Sequence, residues 1–168
     1  YISQIGAVKI NNNNINYNQI NQNPFFCPDI NKIQEVEDYL TKIRKEGDSV
    51  GAVIEVVARN VPVGLGEPIY NKLDTALAAA MMSINAVKAV EIGSGFDIAS
   101  KKGSQVSDEI SIDGDDVKFS SNNSGGILGG ISSGQDIIVR FAVKPTSSIL
   151  KEKNTIDKFG RNTKLITK

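Results

Sequence analysis

The residues Lys144-Pro145-Thr146-Ser147-Ser148 place one cation, a rigid proline and three hydroxyl groups in succession. They follow a β-branched and aromatic run that is typical of a buried strand, and side chains at strand ends often carry chemistry. An ammonium group and neighbouring hydroxyls suit a phosphate or the electron-rich edge of a ring. The pattern predicts a ligand-binding segment, and a plain polar loop after a strand is the alternative.

A second candidate is the glycine cluster at residues 124–134, which Asn122 and Asn123 precede. Glycines let a backbone approach a ligand closely. The cluster lacks the lysine and hydroxyl residue of a phosphate-binding P-loop and the spacing of a dinucleotide fold. The residues by themselves therefore favour tight packing or a sharp turn over a ligand site.

Other kinds of chemistry have little support in the sequence. The chain contains no histidine, so it has no imidazole base to activate a serine or threonine, which disfavours a hydrolase. It has one cysteine, and its only carboxylates grouped with the spacing of metal ligands, Asp113, Asp115 and Asp116, are explained by a turn. We predict no metal site and no catalytic residue within the chain.

Two helices and several strands must position these segments. Asp29 is placed to cap a helix whose apolar stripe is Ile33, Val36, Leu40 and Ile43, and Gly47 ends it. Pro68 is expected in the first turn of a second helix, before an apolar face at helical spacing. That face contains Leu73, Leu77, Ala80, Met81 and Ile84, and Met81 and Met82 are expected to fill the core.

Strands are predicted at residues 1–10, 49–59, 87–92 and 137–143. Residues 110–112 and 117–119 flank an Asp113-Gly114 turn signal and predict a hairpin. The asparagine-rich stretch 11–23 is expected to be a solvated connection. This order favours an α+β fold or a layered β-α-β arrangement over regular alternation.

Composition limits the remaining possibilities. The 168 residues predict one domain, and 19 basic against 19 acidic side chains leave no net charge to attract nucleic acid. No apolar run suits a membrane span, and a lone Cys27 favours a reducing compartment, which we take to be the cytoplasm. The absence of an initiator methionine and of histidine suggests an excised piece of a longer protein.

Six stretches of the chain, in order, resemble the motifs of bacterial chorismate synthases. The stretch 61–68 (VPVGLGEP), the glycine cluster and the run 144–148 are too long for chance agreement. The resemblance covers almost the whole chain, at residues 23–28, 47–51, 60–68, 81–95, 122–135 and 144–149.

The resemblance implies a β-α-β sandwich of antiparallel sheets packed around helices, assembled as a homotetramer. It implies a lyase of the shikimate pathway, on the route to the aromatic amino acids. This lyase eliminates phosphate from 5-enolpyruvylshikimate 3-phosphate in the 1,4-anti sense to give chorismate. The cofactor implied is reduced flavin mononucleotide (FMN), with NADPH indirectly as the source of reducing equivalents.

Carried over residue by residue, the family's flavin contacts fall on Asn85, Ala86, Gly129, Lys144, Pro145, Thr146, Ser147 and Ser148. The family's catalytic histidines and most substrate-binding arginines belong to motifs before residue 1 and after residue 168. The resemblance therefore implies that residues 1–168 are a core fragment of a single chorismate synthase domain and are inactive alone. A non-catalytic flavin- or nucleotide-binding module and an assembly domain remain the alternatives.

Overall fold

The computed structural model describes residues 1–11 and 14–167. The chain divides into two compact units, the first formed by Tyr1–Val53 with Val143–Lys168 and the second by Ile54–Ala142. No helix among the described residues is long and apolar enough to cross a membrane. The expectation of a single domain stays a prediction.

The first unit begins with a hairpin of β1 (Ile2–Ile5) and β2 (Val8–Lys9), which pair in antiparallel fashion. The single strand predicted over residues 1–10 is therefore wrong. The chain reverses at Gly6, whose φ of 51° favours glycine. The hairpin contributes Ile2 to a core cluster with Ile10 and Cys27.

Part of the asparagine-rich stretch forms a short helix. A 3₁₀ helix spans Tyr17–Gln22, and the Asn16 side chain caps it by accepting a hydrogen bond from the Asn18 amide. The predicted connection is thus partly helical because a capping asparagine stabilises a short turn as readily as it stabilises a loop. Residues 12 and 13 of this prediction lie outside the described residues.

Helix α1 (Ile33–Lys45) confirms the first helix prediction. The Asp29 side chain accepts a hydrogen bond from Asn31 N, and it caps a short 3₁₀ turn, Ile30–Lys32, that leads into α1. Val36 is fully buried in the predicted stripe. The helix ends before Gly47, which has a φ of 65° and suits a left-handed C-terminal cap.

Two further strands complete the first unit. Strand β10 (Lys153–Ile156) and strand β11 (Asn162–Leu165) form an antiparallel hairpin that the sequence analysis did not predict. Strand β3 (Ala52–Ala58) begins in this unit, where the strand order is β2-β1-β3.

The second unit contains the rest of β3, strand β4 (Val87–Ile92) and strand β9 (Ile137–Val143), in the order β3-β9-β4. The strands predicted at residues 87–92 and 137–143 are confirmed with those bounds. Alternate residues of β9 are buried, with Ile137, Val139 and Phe141 the most deeply covered. Their alternation is the period expected of a sheet that buries one face more deeply.

Helix α2 (Leu73–Met82) packs against this sheet through Leu73, Leu77 and Met81. The expected start at Pro68 is wrong, because the helix begins five residues later, where Leu73 N donates to the carbonyl of Gly130. Three predicted core positions are also wrong. Ala80 is exposed, Met82 is 48% exposed, and Ile84 lies beyond the helix.

Shorter elements surround this core. The predicted hairpin is confirmed as β5 (Ile110–Asp113) and β6 (Asp116–Phe119), and its turn lies at Gly114 and Asp115. Strands β7 (Ile127–Leu128) and β8 (Ile131–Ser132) form a tight hairpin inside the glycine cluster. A 3₁₀ helix at Gly95–Ser100 and helix α3 (Gly103–Val106) were not anticipated. The mixture of helices with antiparallel hairpins confirms the α+β class.

Candidate functional site

Residues 144–148 follow β9 directly and lie in the first unit. All five side chains, Lys144, Pro145, Thr146, Ser147 and Ser148, are exposed, and none belongs to a helix or strand. The segment therefore presents one ammonium group and three hydroxyls to solvent. Without hydrogen bonds from other parts of the unit, this segment would be a plain polar loop.

Ser49 holds the middle of the segment. Its Oγ donates a hydrogen bond of 2.7 Å to the carbonyl oxygen of Thr146, although the two residues are 97 positions apart. The Thr146 Oγ1 in turn accepts from Ser148 N at 3.4 Å. The Thr146 carbonyl is thus occupied by a donor from another part of the unit.

Lys153 holds the next residue of the segment. Its Nζ donates to the carbonyl oxygen of Ser147 and also to Oγ1 of Thr167, at 3.2 Å in the second case. Lys153 is the first residue of β10, so the β10-β11 hairpin positions its ammonium group. Two consecutive carbonyls of the segment are therefore bound from two different elements.

Gly51 allows the two parts of the unit to approach each other. A Cβ at this position would lie 2.6 Å from the carbonyl oxygen of Val143 and 3.2 Å from Cδ of Pro145. Any larger residue would push the start of the 144–148 segment away from the strand entrance. Glycine is required here for close approach rather than for an unusual φ.

An ion pair lies just beyond the end of the segment. Lys151 Nζ lies 2.5 Å from Asp48 Oδ2, and Leu150 N donates to the Gly47 carbonyl at 2.9 Å. The hydrogen bond between the two side chains lowers the pKa of Asp48 and raises the pKa of Lys151. Residues 47–51 and 144–151 therefore run side by side.

Beside these residues lies a cavity of about 370 Å³. The end of α1 lines it with Leu40, Ile43 and Arg44, and residues 47–50 and 148–150 supply the rest. Its lining mixes aliphatic side chains with one guanidinium group, the carboxylate of Asp48 and two serine hydroxyls.

In the second unit, Gly129 lies at the tip of the β7-β8 hairpin. Gly129 and Gly130 have φ values of 59° and 86°, the sign that a type I′ turn needs at both central residues. A Cβ on Gly129 would meet nothing within 4 Å, and one on Gly130 would lie 2.5 Å from the Lys72 side chain. Gly129 is exposed and Gly130 is buried.

The motif at residues 61–68 packs against this hairpin. The buried Ser132 hydroxyl donates to the Pro62 carbonyl at 2.6 Å and accepts from Leu65 N at 2.8 Å. Its backbone adds two hydrogen bonds, to Gly64 N at 3.0 Å and Leu65 O at 2.9 Å. Two motifs far apart in sequence are therefore hydrogen-bonded to each other in this unit.

Asn85 and Ala86 form the turn between α2 and β4. Ala86 has a φ of 69°, a left-handed conformation that costs a non-glycine residue on the order of 1 kcal/mol. Gly130 lies at the start of α2 and Asn85 follows its end, so the ten-residue helix separates them by about 15 Å. Asn85 and Gly129 therefore lie near opposite ends of α2.

Asp108 fixes the entrance to the glycine cluster. Its carboxylate accepts hydrogen bonds from Ser121 Oγ at 2.6 Å, Asn123 N at 2.7 Å and Ser124 N at 2.8 Å. Burial raises the pKa of Asp108, but these hydrogen bonds outweigh it and lower the pKa to about 2. The carboxylate is thus a structural anchor and stays ionised.

The groups that these residues offer are suited to binding a ligand. Lys144 supplies a positive charge, and the hydroxyls of Thr146, Ser147 and Ser148 supply donors for phosphate or carbonyl oxygens. No group of three or more His, Cys, Asp or Glu side chains among the described residues is arranged to hold a metal ion.

Sequence reasoning missed Ser49, Lys153, Ser132 and Asp108. Each acts through a contact with a residue at least 6 positions away, and for Ser49 the separation is 97. Ser49 falls in the predicted strand 49–59 and in the motif at residues 47–51, and Ser132 falls in the glycine cluster, but these patterns do not indicate the contacts that either side chain makes.

The chorismate synthase family model matches residues 1–168. A chorismate synthase from Pelagibacter ubique is 59% identical over 167 residues, which cover 99% of this chain and 46% of that protein. A chorismate synthase from Roseobacter denitrificans is also 59% identical, over 168 residues, 100% of this chain and 46% of that protein. The chain therefore spans about half the length of these curated relatives.

A solved structure described as "Crystal Structure of Chorismate Synthase" superposes with a TM-score of 0.81 at 37% identity. The superposition covers 88% of this chain and 48% of the crystallised chain. The fold and the order of the motifs agree with the match of the family model along the whole sequence. The chain belongs to the chorismate synthase family.

Proposed function

We propose that this chain is part of an enzyme that converts 5-enolpyruvylshikimate 3-phosphate into chorismate by 1,4-anti elimination of phosphate. The observation that carries the proposal is the match of the chorismate synthase family over residues 1–168. The enzyme is then a carbon-oxygen lyase of the shikimate pathway. Its substrate is a small phosphorylated acid.

The proposal includes reduced FMN as the cofactor, and the described residues fit such a ligand. The exposed Lys144 and the hydroxyls after it suit an anionic, oxygen-rich molecule. Gly129 is exposed and leaves open space beside its backbone, and Asn85 is an exposed amide. The flavin-contacting residues proposed are Asn85, Ala86, Gly129, Lys144, Pro145, Thr146, Ser147 and Ser148.

When bound, reduced FMN would supply electron density for the loss of a proton and phosphate from the substrate, with no net redox change. Lys144 offsets negative charge on the reduced cofactor, and NADPH is the indirect source of its electrons. Thr146, Ser147 and Ser148 bind and orient it through their hydroxyl groups. Pro145 limits the backbone freedom of this segment, so less order has to be gained on binding.

We also propose that residues 1–168 alone are catalytically inactive. The chain contains no histidine and spans 46% of its relatives, so proton transfer and most substrate contacts depend on residues elsewhere in the enzyme. The assembled enzyme is proposed to be a cytoplasmic homotetramer, without nucleic acid or membrane partners.

A flavin titration tests the proposal. The enzyme in its full length is titrated with oxidised and with reduced FMN, and chorismate formation is measured by absorbance. We expect tighter binding of reduced FMN and chorismate formation by the full-length enzyme but none by residues 1–168. Chorismate formation by residues 1–168, or no flavin binding by the full-length enzyme, would contradict the proposal.

Lys144→Met in the full-length enzyme is the sharper arm. Loss of a charge-assisted contact should weaken binding of reduced FMN about tenfold or more. Lys42→Met, which removes an exposed lysine on α1, is the matched control and should leave binding unchanged. Equal affinities of the two variants would refute the role of Lys144.

A further inference from the structure

We propose that Ser49 and Lys153 are positioning residues that clamp the flavin-contact segment, residues 144–148, in its binding conformation. The inference rests on the proposed function and names two residues that lie outside the flavin contacts. Both donate to backbone carbonyls of the segment, Ser49 to Thr146 and Lys153 to Ser147.

The two anchors reach the segment from different parts of the unit. Ser49 lies just before β3, whereas Lys153 begins the β10-β11 hairpin. A surface segment without helix or strand hydrogen bonds would otherwise sample many conformations. Two anchors on adjacent residues restrict the backbone at Thr146 and Ser147, the centre of the segment.

The anchors also determine which groups of the segment remain for a ligand. A carbonyl oxygen carries partial negative charge and is unfavourable beside an anionic ligand. Two consecutive carbonyls, those of Thr146 and Ser147, are satisfied by donors within the protein. The side chains of the segment that remain for a ligand are then a cation and hydroxyl groups.

The two hydrogen bonds affect the order of the segment more than the stability of the whole fold. The Ser49 and Lys153 hydrogen bonds to the segment are exposed, and neither side chain belongs to a core cluster. Exposed hydrogen bonds contribute little to the stability of the whole fold. Their loss should appear instead as a higher ordering cost when the ligand binds, and therefore as weaker affinity.

The test uses the full-length enzyme with Ser49→Ala and Lys153→Met, together with the conservative variants Ser49→Thr and Lys153→Arg. Ser100→Ala removes an exposed hydroxyl that donates to a carbonyl, and Lys164→Met removes an exposed lysine from the same hairpin as Lys153. These two serve as matched controls. The measurements are the Kd for reduced FMN, the Tm of the apoenzyme, and kcat at saturating FMN.

We expect Ser49→Ala and Lys153→Met each to raise the Kd for reduced FMN about fivefold, the loss of one net hydrogen bond. The Tm of the apoenzyme and kcat at saturating FMN should stay at the wild-type values. Ser49→Thr and Lys153→Arg, which keep a donor, should restore most of the affinity. Both controls should bind FMN as the wild type does.

Wild-type affinity in Ser49→Ala and Lys153→Met would overturn the inference. So would an affinity loss shared by the controls, or one accompanied by an equal loss of apoenzyme stability. Lys144→Met distinguishes failure of this inference from failure of the proposed flavin contacts. If it weakens FMN binding while the clamp variants do not, the inference alone fails; if it also binds normally, the proposed flavin-binding role of residues 144–148 fails.

Discussion

Nη2 of Arg140 on β9 lies 3.2 Å from Oε2 of Glu91 on β4. The same guanidinium donates to the Gly93 carbonyl at 3.3 Å, and its Nε is 4.0 Å from Oε2 of the buried Glu55 on β3. A single cation therefore faces carboxylates on both neighbouring strands of the second unit. This cross-strand arrangement helps to specify which strands pair.

Arg140→Met should destabilise the protein strongly. Removing the cation leaves Glu91 and Glu55 without its compensating charge at the middle of the sheet, which costs about 2–3 kcal/mol of unfolding free energy. Arg59→Met, at an exposed ion pair with Asp136, should change it by less than about 0.5 kcal/mol. Urea unfolding followed by circular dichroism measures both, and equal costs would show that burial of the Arg140 group is unimportant.

Gly93→Ala should also be costly. Gly93 has a φ of 59°, and a Cβ there would overlap the backbone of Asn123 and Gly125. The left-handed conformation and the overlap together predict a loss of about 2–3 kcal/mol. Gly103→Ala is the matched control, because a Cβ at Gly103 meets nothing within 4 Å and its φ is ordinary.

We expect Gly103→Ala to be neutral or stabilising by up to about 0.5 kcal/mol, since alanine loses less backbone entropy than glycine. Thermal unfolding of the two variants side by side measures the difference. A Gly93→Ala protein as stable as Gly103→Ala would mean that the contact between residues 93 and 123–125 is not formed.

The Asp108 anchor predicts a pH dependence. The pKa of Asp108 is about 2 in the folded chain, below its ordinary value of 3.8, so the folded chain prefers the ionised form. This contribution is fully present above about pH 4 and is lost as the pH falls through about 2. Solvent screening reduces its size to about 1–2 kcal/mol.

Asp108→Asn should therefore be less stable than the wild type at pH 6 by about 1–2 kcal/mol, and the difference should shrink between pH 4 and pH 2. Urea unfolding at a series of pH values checks this, with Asp115→Asn in the exposed β5-β6 turn as the control. A stability difference that stays constant down to pH 2 would argue against an ionised anchor.

Cys27 is the one thiol of the chain and has no exposed surface. Burial raises its pKa, with a further contribution from the charge of Asp29, so little thiolate is present at neutral pH. We expect a thiol reagent such as dithionitrobenzoate to react at least about 100-fold more slowly with the folded chain than with the chain in urea. Rapid reaction of the folded chain would place Cys27 outside the core.

The predictions that the structure confirms are those with strong local patterns. β4 and β9 are rich in β-branched and apolar residues, and their bounds were correct. Helix α1 was predicted correctly because its apolar stripe and terminal glycine agree with each other, whereas the expected cap was wrong: Asp29 caps the preceding 3₁₀ turn and not α1 itself.

The errors occurred where distant contacts decide local structure. Helix α2 begins at Leu73 because its amide binds the Gly130 carbonyl, a contact between residues 57 positions apart. The single strand expected over residues 1–10 ignored the ability of Gly6 to reverse the chain. The β10-β11 hairpin has mostly polar, exposed strands and so lacks the apolar alternation on which sequence reasoning depends.

The same limit applies to the candidate site. The 144–148 segment was evident from its residue types, whereas the residues that hold it were not. Ser49 and Lys153 contact it through side chain to backbone hydrogen bonds, which impose no recognisable pattern on the sequence.

The adjacent glycines at the β7-β8 turn are under different constraints. At Gly130 the fold itself excludes a side chain, because Lys72 already occupies the space. At Gly129 the fold demands only a left-handed residue, and asparagine or aspartate can adopt that conformation. If the Gly129→Asn enzyme folds normally but loses activity, the fold does not require glycine at this position. The bound cofactor would then be what requires the smaller residue.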